Sequence, residues 1–371
     1  MIAWRALYQR IQKMDWLMGL AMIVLCIMGV LFIYSASYQS ESLPVSMDYK
    51  KQMIWVFLGL TCYLFFTVFD YVRLSQYAYS LYGASLALLM LVLWVGAEIN
   101  GATRWLNVFG LYVQPSELCK LSVVIVLAQF LGRPGRNLSD FKNIFQPLLL
   151  VGVPLFLIYK EPDLGTALVL IPILLGMLYV AGVPVKILAF LVLAGLMLSP
   201  FAWFGLGEYQ QNRIIVLFDE GRDPLGAAWN KIQSEIAVGS GGLTGKGFLK
   251  GTQNILGFLP RTVAPTDFIY SVIAEELGFI GSLLLLTLFS ALCIAGMRAA
   301  LQARDKFGVL LVVGFMTMLF THVFVNIAMT IGLLPITGLP LPLISYGGSF
   351  MVSTMAALGM VQSVYVRRIC R

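Results

Sequence analysis

The chain has 371 residues, of which 59% are hydrophobic and only 12% charged, with a mean hydropathy of +0.87 and a formal net charge of +7. A water-soluble domain carries about a quarter charged residues, so the composition excludes an ordinary soluble protein and puts the chain in lipid. The excess of positive charge belongs to one side of a membrane, as the loops show, and calls for no nucleic acid.

A membrane-crossing helix needs about 20 mostly apolar residues. Such stretches recur near 16–36, 53–69, 77–96, 116–132, 145–159, 164–182, 185–205, 268–297, 307–331 and 343–366. The prediction is an all-α polytopic membrane protein of about ten spans, built as a single membrane domain over residues 1–371. The first apolar run lacks a small-residue cleavage site and leads straight into further spans, so it reads as an anchor and not a removed signal peptide. An even number of spans puts both termini on one side. With the termini inside, the inner segments carry fourteen Lys and Arg residues, Arg5, Arg10, Lys13, Arg73, Arg133, Arg136, Lys142, Lys186, Arg298, Arg304, Lys306, Arg367, Arg368 and Arg371. The short outer loops carry only Lys50, Lys51, Arg104 and Lys160. The asymmetry predicts cytoplasmic termini, and places the long connection, residues 206–266, outside as an extracytoplasmic loop. Cysteines 26, 62, 119, 293 and 370 have neither zinc spacing nor a disulfide context and read as small packing residues.

Ionisable side chains within spans are costly and face the protein interior or a wet cavity, so those present are informative. After the outer loop EINGATRWLNVFGLYVQPS (97–115), the fourth span opens with PSELCKL. Glu117 and Lys120 are three residues apart there and share one helix face, where they either neutralise each other or meet a substrate. In YKEPDLGT (159–166), Lys160, Glu161 and Asp163 surround Pro162 at a tight outer corner, where Asp163 is either a helix cap or a site residue. The outer loop then carries QSEIAVGSGGLTGKGFLKGTQ (233–253). Its glycines with Lys246 and Lys250 fit either an ordinary turn or an anion site, since Gly-rich backbone can aim successive N–H groups at one oxyanion. It is not a nucleotide P-loop, because Ser240 and Gly247 stand where that motif needs a glycine and a hydroxyl.

The eighth span is preceded by TDFIYSVIAEEL (266–277). Thr266 or Asp267 would serve as an N-cap, but a cap does nothing for Glu275 and Glu276, about 12–14 Å further along a helix. Leu277–Met297 is long enough to cross alone, so residues 267–276 are expected to reach beyond the hydrocarbon into a water-accessible outer cavity. His322 stands alone in the ninth span and reads as a hydrogen-bonded interior residue. The final connection, GLLPITGLPLPLISYGGS (332–349), is uncharged and rich in proline and glycine. Its prolines forbid a continuous helix, and irregular backbone at membrane depth needs shelter from protein or a cavity.

In this order, NGATRWLN (100–107), QPSELCKL (114–121), EPDLGT (161–166), the loop from QSEIAVGSGGLTGKG through GTQ, TDFIYSVIAEELG (266–278) and GLPLPLISYGGS (338–349) resemble the SEDS family of shape, elongation, division and sporulation proteins. GSGGLTGKG followed by GTQ is closer to the rod-shape branch than to the division branch. The resemblance implies a peptidoglycan glycosyltransferase of the bacterial cytoplasmic membrane. It would polymerise lipid II outside the membrane during elongation and rod-shape maintenance, with a class B penicillin-binding protein supplying transpeptidation. It puts the family's catalytic aspartate at Asp267, its buried Glu and Lys at Glu117 and Lys120, its Arg-Trp pair at Arg104 and Trp105, and its outer-corner Asp at Asp163. The stretch FLPRTVAPTDF departs from the family pattern. Arg261 stands where a glutamate is usual and Pro265 where a histidine is usual, so no role of those residues carries over.

The chemistry agrees with the residues on offer. A sugar hydroxyl attacking an anomeric carbon benefits from a carboxylate that takes its proton, the role expected of Asp267. The departing diphosphate develops negative charge that cations and N–H groups stabilise. Lys120, Arg104, Arg213, Lys246 and Lys250 are the candidates for that contact. A divalent cation bridging diphosphate and carboxylate is compatible with this chemistry, but no ligand spacing specifies one. The rival expectation is a lipid II flippase or other transporter, since broken helices and intramembrane charges serve transporters too. The long basic outer loop, acids gathered at one face and the lack of an inverted repeat favour the enzyme.

Overall fold

The computed structural model describes residues 10–38, 46–99, 102–108, 111–135, 141–219, 221, 223 and 226–368. Arg5, Asn100, Gly101, Arg136, Cys370 and Arg371, used in the sequence reading, lie outside the described residues.

The apolar segments fold as helices. In chain order these are α1 (Trp16–Ser37), α2 (Asp48–Val68), α3 (Tyr71–Val95), α4 (Pro115–Leu131), α5 (Phe141–Lys160), α6 (Leu164–Ala181) and α7 (Val185–Trp203). After the outer loop come α11 (Ile269–Leu301), α12 (Lys306–Thr330) and α13 (Gly348–Val366). Eight of the described helices are long and apolar enough to cross a membrane; α4, of 17 residues, and α7 fall outside that group. The sequence segments nearest α4 and α7 were both read as spans, so the expected ten reduces to eight by length and composition, with two further apolar helices in the same bundle.

Residues 97–113 form a three-stranded antiparallel sheet, β1 (Ala97–Ile99), β2 (Ala102–Val108) and β3 (Leu111–Val113), in the order β1-β2-β3. Ala97 pairs with Trp105 and Leu106 with Val113. The long loop also has structure of its own, α8 (Glu208–Phe218), α9 (Ala227–Ser240) and the short α10 (Thr252–Ile255).

The core runs through α4, α11, α12 and α13. Most side chains of α13 are buried, and it packs extensively along α2. By contrast α7 lies at the periphery on α6, with Phe190, Leu196, Met197 and Phe201 exposed as lipid-facing residues would be. One end of the bundle is tied by charge. Arg298 reaches Asp15 at 3.7 Å, Arg367 reaches Asp70 at 3.5 Å, and the Tyr71 hydroxyl donates to Asp305 at 2.8 Å. The opposite end collects the β-sheet, the corner after α5, the start of α11 and residues 332–347, and there the polar residues singled out above meet.

Helix α11 is broken. Gly278 has φ +64° and ψ −157°, outside the helical region, so a short leading segment is followed by a helix from Phe279 long enough to cross. The break is filled by the glycine-rich loop. Lys246 N–H donates to the Glu275 carbonyl at 3.0 Å and Gly247 N–H to that of Glu276 at 2.9 Å. In return Phe279 N–H donates to the Gly242 carbonyl at 2.9 Å and Ile280 N–H to that of Leu243 at 3.1 Å. Groups that the helix cannot pair internally are thus paired by the loop, as buried backbone requires. The approach needs bare glycine: a Cβ on Gly245 would lie 2.1 Å from the Glu276 carbonyl oxygen.

Candidate active site

Asp267 lies in a turn, not in a helix. Phe268 is the residue before α11 and makes no side-chain cap, so neither Thr266 nor Asp267 is spent as an N-cap there. The segment before it coils tightly, with Asp267 N–H donating to the Val263 carbonyl at 3.0 Å. Asn326 of α12 fixes the turn from behind, its Nδ2 donating to the Asp267 carbonyl at 2.9 Å and to that of Leu339 at 2.7 Å. The Asp267 side chain is left half-buried.

Gly338 faces that side chain. A Cβ placed there would stand 3.4 Å from Asp267 Oδ2 and 3.8 Å from Arg213 Nη1, so the carboxylate and the guanidinium border the same small space. Arg213 comes from α8. It is steered by bonds to the Ile336 carbonyl at 3.0 Å and to the Tyr209 hydroxyl, with its guanidinium 4.4 Å from the centre of the Tyr209 ring. Burial among these elements pushes the Asp267 carboxyl above its ordinary range, while Arg213, then Arg104, and the Thr266 hydroxyl pull it down and Asp163 pushes it up. Arg104 and Asp163 are therefore near enough to act on Asp267 through space.

Those two form the adjoining wall. Arg104 on β2 approaches Asp163 at 3.7 Å, and Gln114 Nε2 donates to Asp163 at 2.9 Å. Asp163 also accepts from Thr166 N–H at 3.1 Å, so the helix-cap and site readings of this residue coexist. Trp105 sits half-buried beside Arg104 on the same strand. Glu161 is fully buried beneath, with no hydrogen bond to either carboxyl oxygen. Burial first and Asp163 second push its carboxyl up to about 8, against Arg104. At neutral pH Glu161 is therefore mostly neutral.

Three candidates lie elsewhere. Lys120 is 1% exposed, paired with Glu117 at 2.8 Å and with His322 Nε2 at 2.9 Å, and Ser353 donates to Glu117 at 3.1 Å. These contacts make a closed cluster inside the bundle. Lys246 is bonded to Glu275 at 2.7 Å and to the Thr252 hydroxyl at 2.7 Å. The loop N–H groups of residues 246 and 247 are spent on α11 carbonyls and not held open for an anion. Lys250 stays exposed at the end of the loop.

Glu275 and Glu276 correct an expectation. They are buried, at 0% and 1% exposure, and do not stand in an open cavity. Glu275 accepts from Lys246, Thr252 and the Gln253 N–H, and Glu276 from the Ser35 hydroxyl. They serve as attachment points for the outer loop because that loop folds back over them. Only Asp267, of the three acids, meets an opening.

The sequence reading passed over Gln114, Tyr209, Asn326 and Ser345. Asn326 had a visible signal, since it lies four residues from His322 in an apolar span and so shares its face. The others are polar residues of loops and helix ends and carry no such mark.

The family model described as "Cell cycle protein", covering FtsW, RodA and SpoVE, matches residues 15–368. The chain is 38% identical over 356 residues to the "Peptidoglycan glycosyltransferase MrdB" of Escherichia coli strain K12, spanning 96% of this chain and 94% of that protein. It is 30% identical to the "Peptidoglycan glycosyltransferase RodA" of Treponema pallidum, over 97% of this chain and 99% of the relative. Among solved structures, a chain described under "Structural coordination of polymerization and crosslinking by a peptidoglycan synthase complex" superposes with a TM-score of 0.80 at 34% identity, covering 96% of this chain and 98% of the other. The rod shape determining protein RodA of Thermus thermophilus superposes with a TM-score of 0.72 at 32% identity, covering 96% and 98%.

Proposed function

The chain belongs to the FtsW, RodA and SpoVE family and is a peptidoglycan glycosyltransferase, and we propose that Asp267 is its general base in polymerising lipid II. The observation that carries this reading is the pairing of a half-buried, uncapped carboxylate with Arg213 around the small space at Gly338.

The acceptor sugar hydroxyl is placed against Asp267, which takes its proton as the oxygen attacks the anomeric carbon of the donor. A new C–O bond forms there while the bond from that carbon to the lipid diphosphate breaks, and the diphosphate leaves with the electron pair. Arg213 and Arg104 are the cations that stabilise the charge developing on it. A carboxylate held above its ordinary range is a stronger base than a free aspartate, provided it is ionised when the acceptor arrives. Displacement in one step inverts the anomeric centre, by the logic of inverting glycosidases. The carboxylates here leave room for a divalent cation on the diphosphate, although among the described residues no cluster of three or more His, Cys, Asp or Glu forms a metal site.

The reading puts the protein in the bacterial cytoplasmic membrane with both termini inside and the site at the outer surface. It assigns a class B penicillin-binding protein as partner, supported by the likeness to a chain of a peptidoglycan synthase complex. The test is polymerisation of labelled lipid II by the purified protein with its partner. Wild type should make glycan chains. Asp267→Ala and Asp267→Asn should make none while still folding and binding the partner. Full polymerisation by Asp267→Ala would remove the base assignment, and lipid movement between leaflets without polymer would favour a flippase.

A further inference from the structure

We propose that Gln52 of α2 is a positioning residue for Asp267, acting through residues 341–347. The inference rests on the assignment of Asp267 as base.

Gln52 is fully buried in the leading turns of α2, a helix whose other side chains are mostly exposed or half-buried. Both ends of its amide are used, and both on backbone. Its Nε2 donates to the Ser345 carbonyl at 3.1 Å, and its Oε1 accepts from Gly347 N–H at 3.3 Å. No other side chain of that length both donates and accepts at neutral pH without carrying charge.

The segment so held is in turn bonded to the two residues before Asp267. Tyr346 N–H donates to the Pro265 carbonyl at 2.8 Å, and the Ser345 hydroxyl donates to the Thr266 carbonyl. Ser345 Oγ also accepts from Leu341 N–H at 2.8 Å, which closes the segment on itself. The path from Gln52 to the peptide at Asp267 is thus continuous through hydrogen bonds. It meets the Asn326 bond to the Asp267 carbonyl from the other side.

Residues 341–347 have no regular structure to hold them, so their position depends on such outside contacts. Steric contact works with the bonds. A Cβ on Gly29 of α1 would lie 2.8 Å from Ile344 backbone, and one on Gly348 2.2 Å from the Trp55 ring of α2. The first two helices therefore cradle the segment, and Gln52 supplies the polar fixing. Loss of the amide frees Ser345 and Gly347 backbone groups that no water replaces cheaply. The 265–267 peptide then gains freedom where small misplacements are expensive.

The experiment uses full-length Gln52→Leu and Gln52→Glu proteins, each with the partner penicillin-binding protein in detergent. Two quantities are read, hydrogen exchange of peptides covering 263–268 and 341–347, and kcat and KM for lipid II polymerisation. The expected result is faster exchange in both peptides and a kcat lower by ~10-fold with KM within about two-fold. Gln52→Glu keeps the acceptor for Gly347 N–H and loses the donor to Ser345, so it tests the link even if Gln52→Leu fails to fold. Unchanged exchange in the folded variant overturns the proposal, and so does faster exchange with unchanged kcat. A drop in folded yield at full specific activity would assign Gln52 to stability alone and also overturn it. Asp267→Ala is assayed alongside. Its retention of activity would refute the base assignment, whereas the exchange result reports on the Gln52 link by itself.

Discussion

At the scale of single residues, the site sets two arginines against one carboxylate, and its pH behaviour follows. Arg213 holds down a carboxyl that burial lifts. Arg213→Ala should therefore raise the Asp267 pKa further and move the acidic limb of kcat/KM to higher pH. Activity should fall more at pH 6 than at pH 8.5, and a pH–rate profile of the variant against wild type checks the sign. Lys120 belongs to a different case. It is the counterion of a buried Glu117, with His322 beside it. Lys120→Ala leaves that acid unpaired in the interior and should cost about 3–5 kcal/mol of stability, read as a lowered thermal midpoint in detergent. If exchanging the two residues restores activity lost in each single variant, the pair is structural. Exposure, more than residue type, separates these cations: Lys120 is 1% exposed, whereas Arg213 is half-buried.

At the scale of elements, the loop over α11 carries the next prediction. Gly245 has φ +76°, and a Cβ there would collide with the Glu276 carbonyl. Gly245→Ala should cost about 1–3 kcal/mol locally and detach the loop from the broken helix. Limited proteolysis should then cut between residues 243 and 258 faster than in wild type, with the spans intact. This element also marks where sequence reading stopped. The apolar spans were legible because lipid demands long apolar runs, and the break near Leu277 was legible because the segment beyond it suffices to cross. The outer-corner acid and Asp267 stood out as charges without an evident cap or partner. The Gly-rich loop was not legible in the same way. A run of glycines and lysines fits an anion nest as well as a close backbone approach, and only the fold shows its N–H groups turned to Glu275 and Glu276 carbonyls. Gln52 and Ser345 were invisible for a related reason, since their partners are backbone groups some 290 and 80 residues away.

At the scale of the whole molecule, the reading needs the site and the outer loop on one side and the chain ends on the other. Leu243 is exposed in the loop and offers a labelling position. In a background without other cysteines, Leu243→Cys should react with a membrane-impermeant maleimide added outside intact spheroplasts. A cysteine retained at position 370 should react only after lysis, and the reverse pattern would invert the topology.

The bonds from α2 to residues 345 and 347, and the clasp of α1 around Ile344, join the earliest helices to almost the last connection. A chain emerging from the ribosome cannot complete the turn at Asp267 until the stretch before α13 has followed it into the bilayer. Until then a half-made copy is chemically silent, and biosynthesis itself keeps unfinished polymerases from drawing on the lipid-linked sugar pool.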